Sequence, residues 1–221
     1  MTAPAEPLEG WLPPEVEEEL PGLSLLYSEV EVRRAQPLTA DSPPDVEARL
    51  RELSSRVRGA RAIGIRREPI PAAYRVFFRQ VGLDPDRQRT PIEEAVLERM
   101  LRGGFLSGGM LDDILLISLM DTGVPVWAFD AETLDGPLGI RTSADGERLG
   151  RSGDPPLLPH GRLVVADAAG PVAVLFGEHA PGHEPRSRTR RVTLYSVLVP
   201  GVPPLYAEEA LWASASALLS P

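Results

Sequence analysis

The chain has 221 residues, including 24 prolines and 20 glycines, and contains no cysteine, lysine or asparagine. The absence of lysine excludes a Schiff-base nucleophile, a pyridoxal-phosphate site and a P-loop lysine, and the absence of cysteine excludes disulfides, thiolate nucleophiles and cysteine-ligated zinc. A hydrophobic content of 43% is enough for a folded core, whereas the net charge of −9 is unfavourable for free-standing binding to DNA or other nucleic acids.

Residues 1–22 are predicted to form a flexible tail, which is acidic and contains several prolines, with Trp11 and Leu12 as its candidate anchors. The tail lacks the basic start and apolar stretch of a secretory signal. No apolar run approaches the ~20 residues that a transmembrane helix needs. We therefore expect a cytoplasmic protein with no membrane partner, in which residues 23–221 form one domain with a core over residues 70–200.

The elements that follow the tail are predicted to be mainly helical. A strand is expected over 23–32, where apolar residues alternate, and Ser42 with Pro43 can cap and begin a helix. Apolar spacing predicts three further features, namely continuation of that helix to residue 57, a short strand over 62–65 and a helix over 71–81. Arg75 and Arg79 are four residues apart on one face of the last helix, and they are candidates for contact with an anion or RNA.

The segment Thr90-Pro91-Ile92-Glu93 is the clearest helix start in the chain. It supplies a capping threonine, a proline at the first helical position and a glutamate at the third. This helix is expected to end at Gly103-Gly104. The next apolar stretch, 111–120, suits either a buried helix or a strand, and the acidic pair at its start favours the helix.

From residue 124 onward, short apolar segments alternate with glycine and proline turns, which is typical of strands. Strands are predicted over 124–129, 138–142, 162–166, 172–176 and 192–199, and a closing helix over 207–219. Helices followed by strands and a last helix indicate an α+β fold. Alternation in the first of these strands places Trp127 and Phe129 on one face, and Trp127 is expected either in the core or as the wall of a pocket.

Two polar clusters stand out near the end of the predicted sheet. His179 and His183 would share a metal-binding face on a helix, but Pro181 and Gly182 lie between them and favour a polar loop, so we expect no metal. The other cluster is a run of arginines that is able to bind phosphate or carboxylate, or that is simply solvated. Its members are Arg186, Arg188, Arg190 and Arg191.

Several segments with modest individual signals occur in a specific order from Tyr74 onward. They are Tyr74-Arg-x-x-x-Arg79-x-x-Gly82-Leu-Asp-Pro85, Arg89-Thr-Pro-x-Glu93-Glu-Ala95, Leu111-Asp-Asp113, Gly123-Val-Pro125-Val-Trp-Ala-Phe-Asp130, Leu134-Asp-Gly136-Pro-Leu-Gly-Ile-Arg141, Asp145-Gly-Glu147, Leu163-Val-Val-Ala-Asp167-x-x-Gly-Pro171-Val-Ala and Thr189-Arg-Arg-Val-Thr-Leu194. In this order they resemble the B3/B4 domain of the phenylalanyl-tRNA synthetase β subunit, and more closely the free-standing proteins built on that domain.

The resemblance implies a β-sandwich flanked by helices that houses an editing pocket. In the synthetase this domain hydrolyses the ester of a wrong amino acid, tyrosine, from the tRNA, and it needs no cofactor or metal. The chain departs from the family pattern at the pocket, where Trp127 replaces a histidine, Tyr195 a glutamate and Leu116 an asparagine. A glycine pair of the family becomes Gly177-Glu178. The resemblance therefore implies the location of the pocket, while its catalytic residues stay unassigned.

The candidate pocket residues share a position near this implied site. They are Trp127, Phe176, Gly177, Glu178, His179 and Tyr195, together with Asp113. Three functions remain open at this point: a deacylase that acts in trans on mischarged aminoacyl-tRNA, a non-catalytic module that binds RNA or an amino acid-like ligand in the same pocket, and a protein-interaction domain with an acidic surface. The acidic pair Asp112-Asp113 is open to acid–base work or to a role at a helix start.

Overall fold

The computed structural model describes residues 4–34, 36–151 and 154–220. The α-helices in these ranges are α1 (Pro14–Glu19), α2 (Pro44–Arg56), α3 (Gly59–Gly64), α4 (Pro69–Gln80), α5 (Pro91–Arg102), α6 (Met110–Thr122) and α7 (Pro204–Leu219). The strands are β1 (Leu8–Glu9), β2 (Ser24–Glu31), β3 (Trp127–Asp130), β4 (Gly139–Thr142), β5 (Leu163–Asp167), β6 (Gly170–Val174) and β7 (Arg191–Leu198). Short 3₁₀ turns occupy Ile65–Arg67 and Ala131–Thr133.

The strands form two antiparallel sheets. The larger sheet has the order β1-β2-β7-β3, and the smaller has the order β4-β5-β6. Leu194 of the larger sheet and Ile140 and Val172 of the smaller sheet belong to one buried cluster, so the two sheets share a core. Helix α7 adds Leu211 and other buried residues to the same cluster. This arrangement confirms the predicted α+β fold, a β-sandwich flanked by helices.

A second buried cluster lies among the helices of the first half. Leu53 of α2, Val96 of α5 and Met120 of α6 pack there, with Phe105 from the loop before α6. The capping box at Thr90 is present and α5 ends at Gly103, which has a left-handed φ of 79°. The stretch 111–120 is helical, as its acidic start predicted. The helix is apolar because it is buried between the sheet and the other helices.

The prediction of a strand over 62–65 is wrong, because these residues belong to α3 and the 3₁₀ turn after it. Ala62 and Ile65 are both buried, and their spacing of three residues fits one face of a helical turn. Helix α2 begins at Pro44 after Pro43, and Ser42 does not cap it. The Ser42 hydroxyl instead donates to the carboxylate of Asp113.

Of the tail predicted over 1–22, residues 1–3 lie outside the described residues, and residues 4–22 contact both sheets. Leu8 and Glu9 pair with β2, and the Trp11 amide donates to the backbone carbonyl of Leu138 beside the smaller sheet. Val16 and Leu20 are buried in the main core. Residues 8–11 therefore join β2 of the larger sheet to β4 of the smaller sheet through backbone hydrogen bonds. No helix in the described ranges is long and apolar enough to cross a membrane.

Candidate functional site

Strand β7 brings together aromatic residues that are far apart in the sequence. It lies between β2 and β3, so Tyr195 has Tyr27 as its partner on one side and Trp127 on the other. The rings of Trp127 and Tyr195 stack with centroids 5.4 Å apart and an angle of 22° between them. The ring of Phe129 stacks on Tyr195 at 4.8 Å and 9°. As predicted from alternation, Trp127 and Phe129 therefore face the same side.

His179 completes this group and gives it polar character. Its Nε2 lies 3.1 Å from the hydroxyl of Tyr195, and its ring centroid is 4.8 Å from that of Phe129. Burial lowers the pKa of His179 and raises the pKa of Tyr195 well above its ordinary value. Both groups are therefore neutral at pH 7, and an imidazole that bonds through Nε2 keeps Nδ1 for another partner.

Phe176 forms the outer wall of the group and adopts an unusual backbone conformation. Its φ is +55°, the only positive φ of a non-glycine residue in the described ranges. Its ring is 5.8 Å from that of Trp127 and also contacts Tyr74 and Phe78. A left-handed phenylalanine costs on the order of 1 kcal/mol of strain, which its ring contacts offset. We refer to Trp127, Phe129, Phe176, His179 and Tyr195 as the aromatic cluster.

The turn after β6 places two more of the predicted pocket residues at the rim of the aromatic cluster. Gly177 and Glu178 are exposed between Phe176 and His179. The turn is closed by the amide of Gly177, which donates to the carbonyl of Val174, and by the Val174 amide, which donates to the carbonyl of Glu178. Glu178 therefore precedes His179 in the sequence, but its exposed side chain lies outside the stacked rings.

Asp113 lies in a different environment from the other predicted pocket residues. Its buried carboxylate accepts hydrogen bonds from the hydroxyls of Ser42 and Ser107 and from the amide of Gly108. These groups join the first turn of α6 to the loops before α2 and α6, and we call them the Asp113 centre. Loss of solvation, with the nearby charge of Asp113, raises the pKa of Asp112. Three donors leave Asp113 little capacity for another partner.

The arginine run occupies an exposed loop that is fixed beside the aromatic cluster. The Thr189 hydroxyl donates to the carboxylate of Asp130 at 2.5 Å, and Asp130 ends the strand that carries Trp127. Thr189 also accepts from the amide of Arg186. Arg191 lies 3.8 Å from Glu29. Within the described ranges, no ion pair involves the three other arginines of the run, which are Arg186, Arg188 and Arg190.

The two arginines predicted on α4 have different environments. The guanidinium of Arg75 is mostly buried and pairs with Asp86 at 2.6 Å and Glu93 at 2.5 Å. This network ties α4 to the start of α5, so Arg75 has a structural partner on both sides. Arg79 is exposed one turn further along the helix. Of the two, only Arg79 has its guanidinium directed to solvent.

The imidazoles of His179 and His183 both contact Phe129, but they have separate polar partners. Nδ1 of His183 lies 3.0 Å from the hydroxyl of Thr133. In the ranges that the structure describes, no group of three histidine, cysteine, aspartate or glutamate residues is arranged to hold a metal ion. Phe129 is not among the pocket residues predicted from the sequence. The alternation of Trp127 and Phe129 was the available signal for it.

Comparison with known proteins places the chain beside one family. The sequence profile of the family described as "B3/4 domain" matches residues 73–201. The phenylalanine–tRNA ligase beta subunit of Xanthomonas oryzae pv. oryzae (strain MAFF 311018) is 39% identical over 94 residues, which are 42% of this chain and 12% of that protein. The proteins of the same name from Xanthomonas campestris pv. campestris (strain 8004) and Xylella fastidiosa (strain 9a5c) are 38% identical over 94 residues. The match spans 12% of the length of these relatives.

Proposed function

We propose that this chain, which belongs to the B3/4 domain family, hydrolyses the ester of mischarged aminoacyl-tRNA in trans. Its related segment in phenylalanine–tRNA ligase beta subunits points to tRNA as the partner. The observation that carries the proposal is the pair formed by His179 and Tyr195 within the aromatic cluster, 3.1 Å apart. In this pair the imidazole of His179 is neutral, and its hydrogen bond with Tyr195 fixes its orientation. The half-buried rings of Trp127 and Phe176 belong to the same aromatic cluster.

The hydrolysis requires a base that accepts a proton from water. Water adds its oxygen to the acyl carbon, the bond between that carbon and the ribose oxygen breaks, and the ribose oxygen receives a proton. His179 suits the role of general base because burial lowers its pKa and keeps the imidazole unprotonated at pH 7. When Nε2–H donates to the oxygen of Tyr195, Nδ1 is the nitrogen that accepts the proton from water.

The rings around this pair suit the side chain of the amino acid. Trp127 and Phe176 are half-buried, with centroids 5.8 Å apart, and each adds an apolar surface to the aromatic cluster. Tyr195 is 3% exposed, and its hydroxyl is already engaged by His179. Contacts with the amino acid would therefore come mainly from apolar and aromatic surface, which holds the ester without competing for the hydrogen bond of the base.

The arginine loop suits the tRNA backbone. Arg186, Arg188 and Arg190 are exposed, and the bond between Thr189 and Asp130 holds their loop at the end of β3. Guanidinium groups bind phosphate in bidentate geometry. In a protein of net charge −9, this loop is a local positive surface next to the aromatic cluster. It would place the terminal ester of the tRNA near His179.

The test is hydrolysis of a panel of mischarged aminoacyl-tRNAs by the whole chain. We expect faster loss of at least one aminoacyl group than in buffer, and a fall in kcat of about 100-fold in H179Q, which is typical of the loss of a general base. H183Q is the matched control, because it removes the other imidazole beside Phe129 and should retain the wild-type rate. The absence of turnover on every pair, or equal rates for H179Q and H183Q, would contradict the proposal.

The arginine loop also favours a second candidate function, which is non-catalytic binding of RNA or of an amino acid-like ligand at the same site. The variant R186Q/R188Q/R190Q distinguishes the two. For a deacylase it should raise KM at constant kcat and reduce the dependence of KM on salt. Saturable, arginine-dependent binding of tRNA without hydrolysis would support the second function and contradict the first.

A further inference from the structure

A cleft that is separate from the stacked rings opens between α4 and the smaller sheet. Its volume is about 370 Å³, at the small end of the range for ligand pockets. Leu163, Leu175 and Phe176 contribute apolar surface to it. Phe176 is the wall that this cleft shares with the aromatic cluster, whereas Trp127, His179 and Tyr195 do not line it. The cleft is therefore large enough for a small molecule and has an apolar side.

Arg162 and His160 both line this cleft, and Arg162 gives it a permanent positive charge. Its backbone amide donates to the hydroxyl of Ser143, and its carbonyl accepts from the amide of Ser143, so the backbone of Arg162 is fixed just before the start of β5. The residue is half-buried. In the ranges that the structure describes, its guanidinium has neither a carboxylate partner nor a side-chain hydrogen bond. An arginine in this state favours a carboxylate, which it can bind with two parallel hydrogen bonds.

The opposite charge is present in the same cleft. Glu19, at the end of α1, lines it together with Gln80 and Val81 at the end of α4. The C-terminal end of a helix carries a partial negative charge and favours a cation. A dianion such as phosphate would be attracted by Arg162 but repelled by Glu19 and the end of α4. A zwitterion has a negative group for Arg162 and a positive group for Glu19 and the end of α4.

We propose that this cleft binds a free α-amino acid with an apolar side chain. The carboxylate binds Arg162, the ammonium group faces Glu19 and the end of α4, and the side chain lies on Leu163, Leu175 and Phe176. This site differs from the one proposed for the ester of aminoacyl-tRNA, since an ester has no free carboxylate for Arg162. A free amino acid bound in the cleft would also contact Phe176, which is the wall that the cleft shares with the aromatic cluster.

The experiment uses three probes with one apolar body, measured by titration calorimetry with the whole chain. L-Phenylalanine carries both charges, 3-phenylpropanoate carries only the carboxylate, and 2-phenylethylamine carries only the ammonium group. We expect saturable one-to-one binding of L-phenylalanine, weaker binding of 3-phenylpropanoate, and the weakest binding of 2-phenylethylamine. R162Q should weaken L-phenylalanine by at least about tenfold, as expected for the loss of a charged hydrogen-bond partner.

Two further variants make the result specific. E19Q should weaken L-phenylalanine while leaving 3-phenylpropanoate unchanged or tighter. R51Q is the matched control, because Arg51 is an exposed residue of α2 outside the cleft and its loss should not change binding. R162Q should retain the wild-type melting temperature, since its guanidinium stabilises no other group. Absence of saturable L-phenylalanine binding, or equal affinity in R162Q and R51Q, would overturn the proposal. Weaker L-phenylalanine binding in H179Q, with unchanged binding in R162Q, would also overturn it.

Discussion

The aromatic cluster and the Asp113 centre each bury polar groups, but they use them differently. Asp113 accepts from two hydroxyls and an amide, which is enough to satisfy a buried carboxylate. In the aromatic cluster, His179 and Tyr195 share one hydrogen bond, and the second ring nitrogen of His179 has no polar partner in the described ranges. A saturated buried group holds loops together, whereas an unsaturated neutral imidazole has capacity left for a ligand or a proton.

The largest expected effect follows from removal of the carboxylate of the Asp113 centre. D113A should lower the free energy of unfolding by about 3 kcal/mol, because it leaves two hydroxyls and an amide without their acceptor. Chemical denaturation measures the loss. D112N is the matched control, since Asp112 lies in the same helical turn without such partners, and it should change stability by less than about 0.5 kcal/mol. Similar losses in both variants would show that the Asp113 centre contributes no special stability.

A smaller effect is expected from removal of the hydroxyls of the buried residues Tyr195 and Tyr74, and it separates a structural role from a chemical one. Y195F should lower the free energy of unfolding by about 1 kcal/mol, through loss of its hydrogen bond with His179, while its ring stays stacked. Y74F removes an equally buried hydroxyl, which donates to the carbonyl of Val197 at 2.8 Å, and should cost a similar amount.

The two tyrosine variants should differ in the rate of deacylation. Y195F frees His179 to turn, so kcat should fall by roughly tenfold and its pH profile should shift, whereas Y74F should leave both unchanged. Denaturation and single-turnover hydrolysis, carried out side by side, make the comparison. A fall in kcat that follows the loss of stability in both variants would indicate that Tyr195 is only structural.

The smallest effect is the pH dependence of stability from the buried histidines. Burial lowers the pKa of His179 and His183 in the folded state, so the unfolded chain takes up protons first as the pH falls below about 6.5. Stability is therefore complete above that value and declines as the pH falls towards the folded-state pKa values, by less than about 1.4 kcal/mol per pH unit for each histidine.

Denaturation at several pH values between 5 and 8 measures this slope. H179Q and H183Q should each flatten it, and the double variant should remove most of it. The ion pair of Arg141 and Glu147 lowers the pKa of Glu147, so its contribution is lost at more acidic pH and does not interfere in this window. An unchanged slope in the double variant would contradict the assignment to the buried histidines.

Local sequence signals were sufficient for the parts of the fold that depend on near neighbours. The capping box at Thr90 and the glycine at 103 delimit α5 because a helix end is satisfied by residues three or four positions away. Alternation placed Trp127 and Phe129 on one face. The strand predicted over 62–65 is wrong because such a short apolar run fits a helical turn as well as a strand.

The candidate site depended on contacts that no local pattern specifies. Tyr195 meets Trp127 only because β7 enters the sheet between β2 and β3, and His179 reaches Tyr195 and Phe129 through the turn after β6. Ser42 was predicted as a helix cap, but its hydroxyl bonds Asp113, 71 positions away. Local sequence was enough to predict both ends of α5, the shared face of Trp127 and Phe129, and the family. The tertiary structure decided which polar groups are saturated, because hydrogen-bond partners and burial are properties of the packed chain.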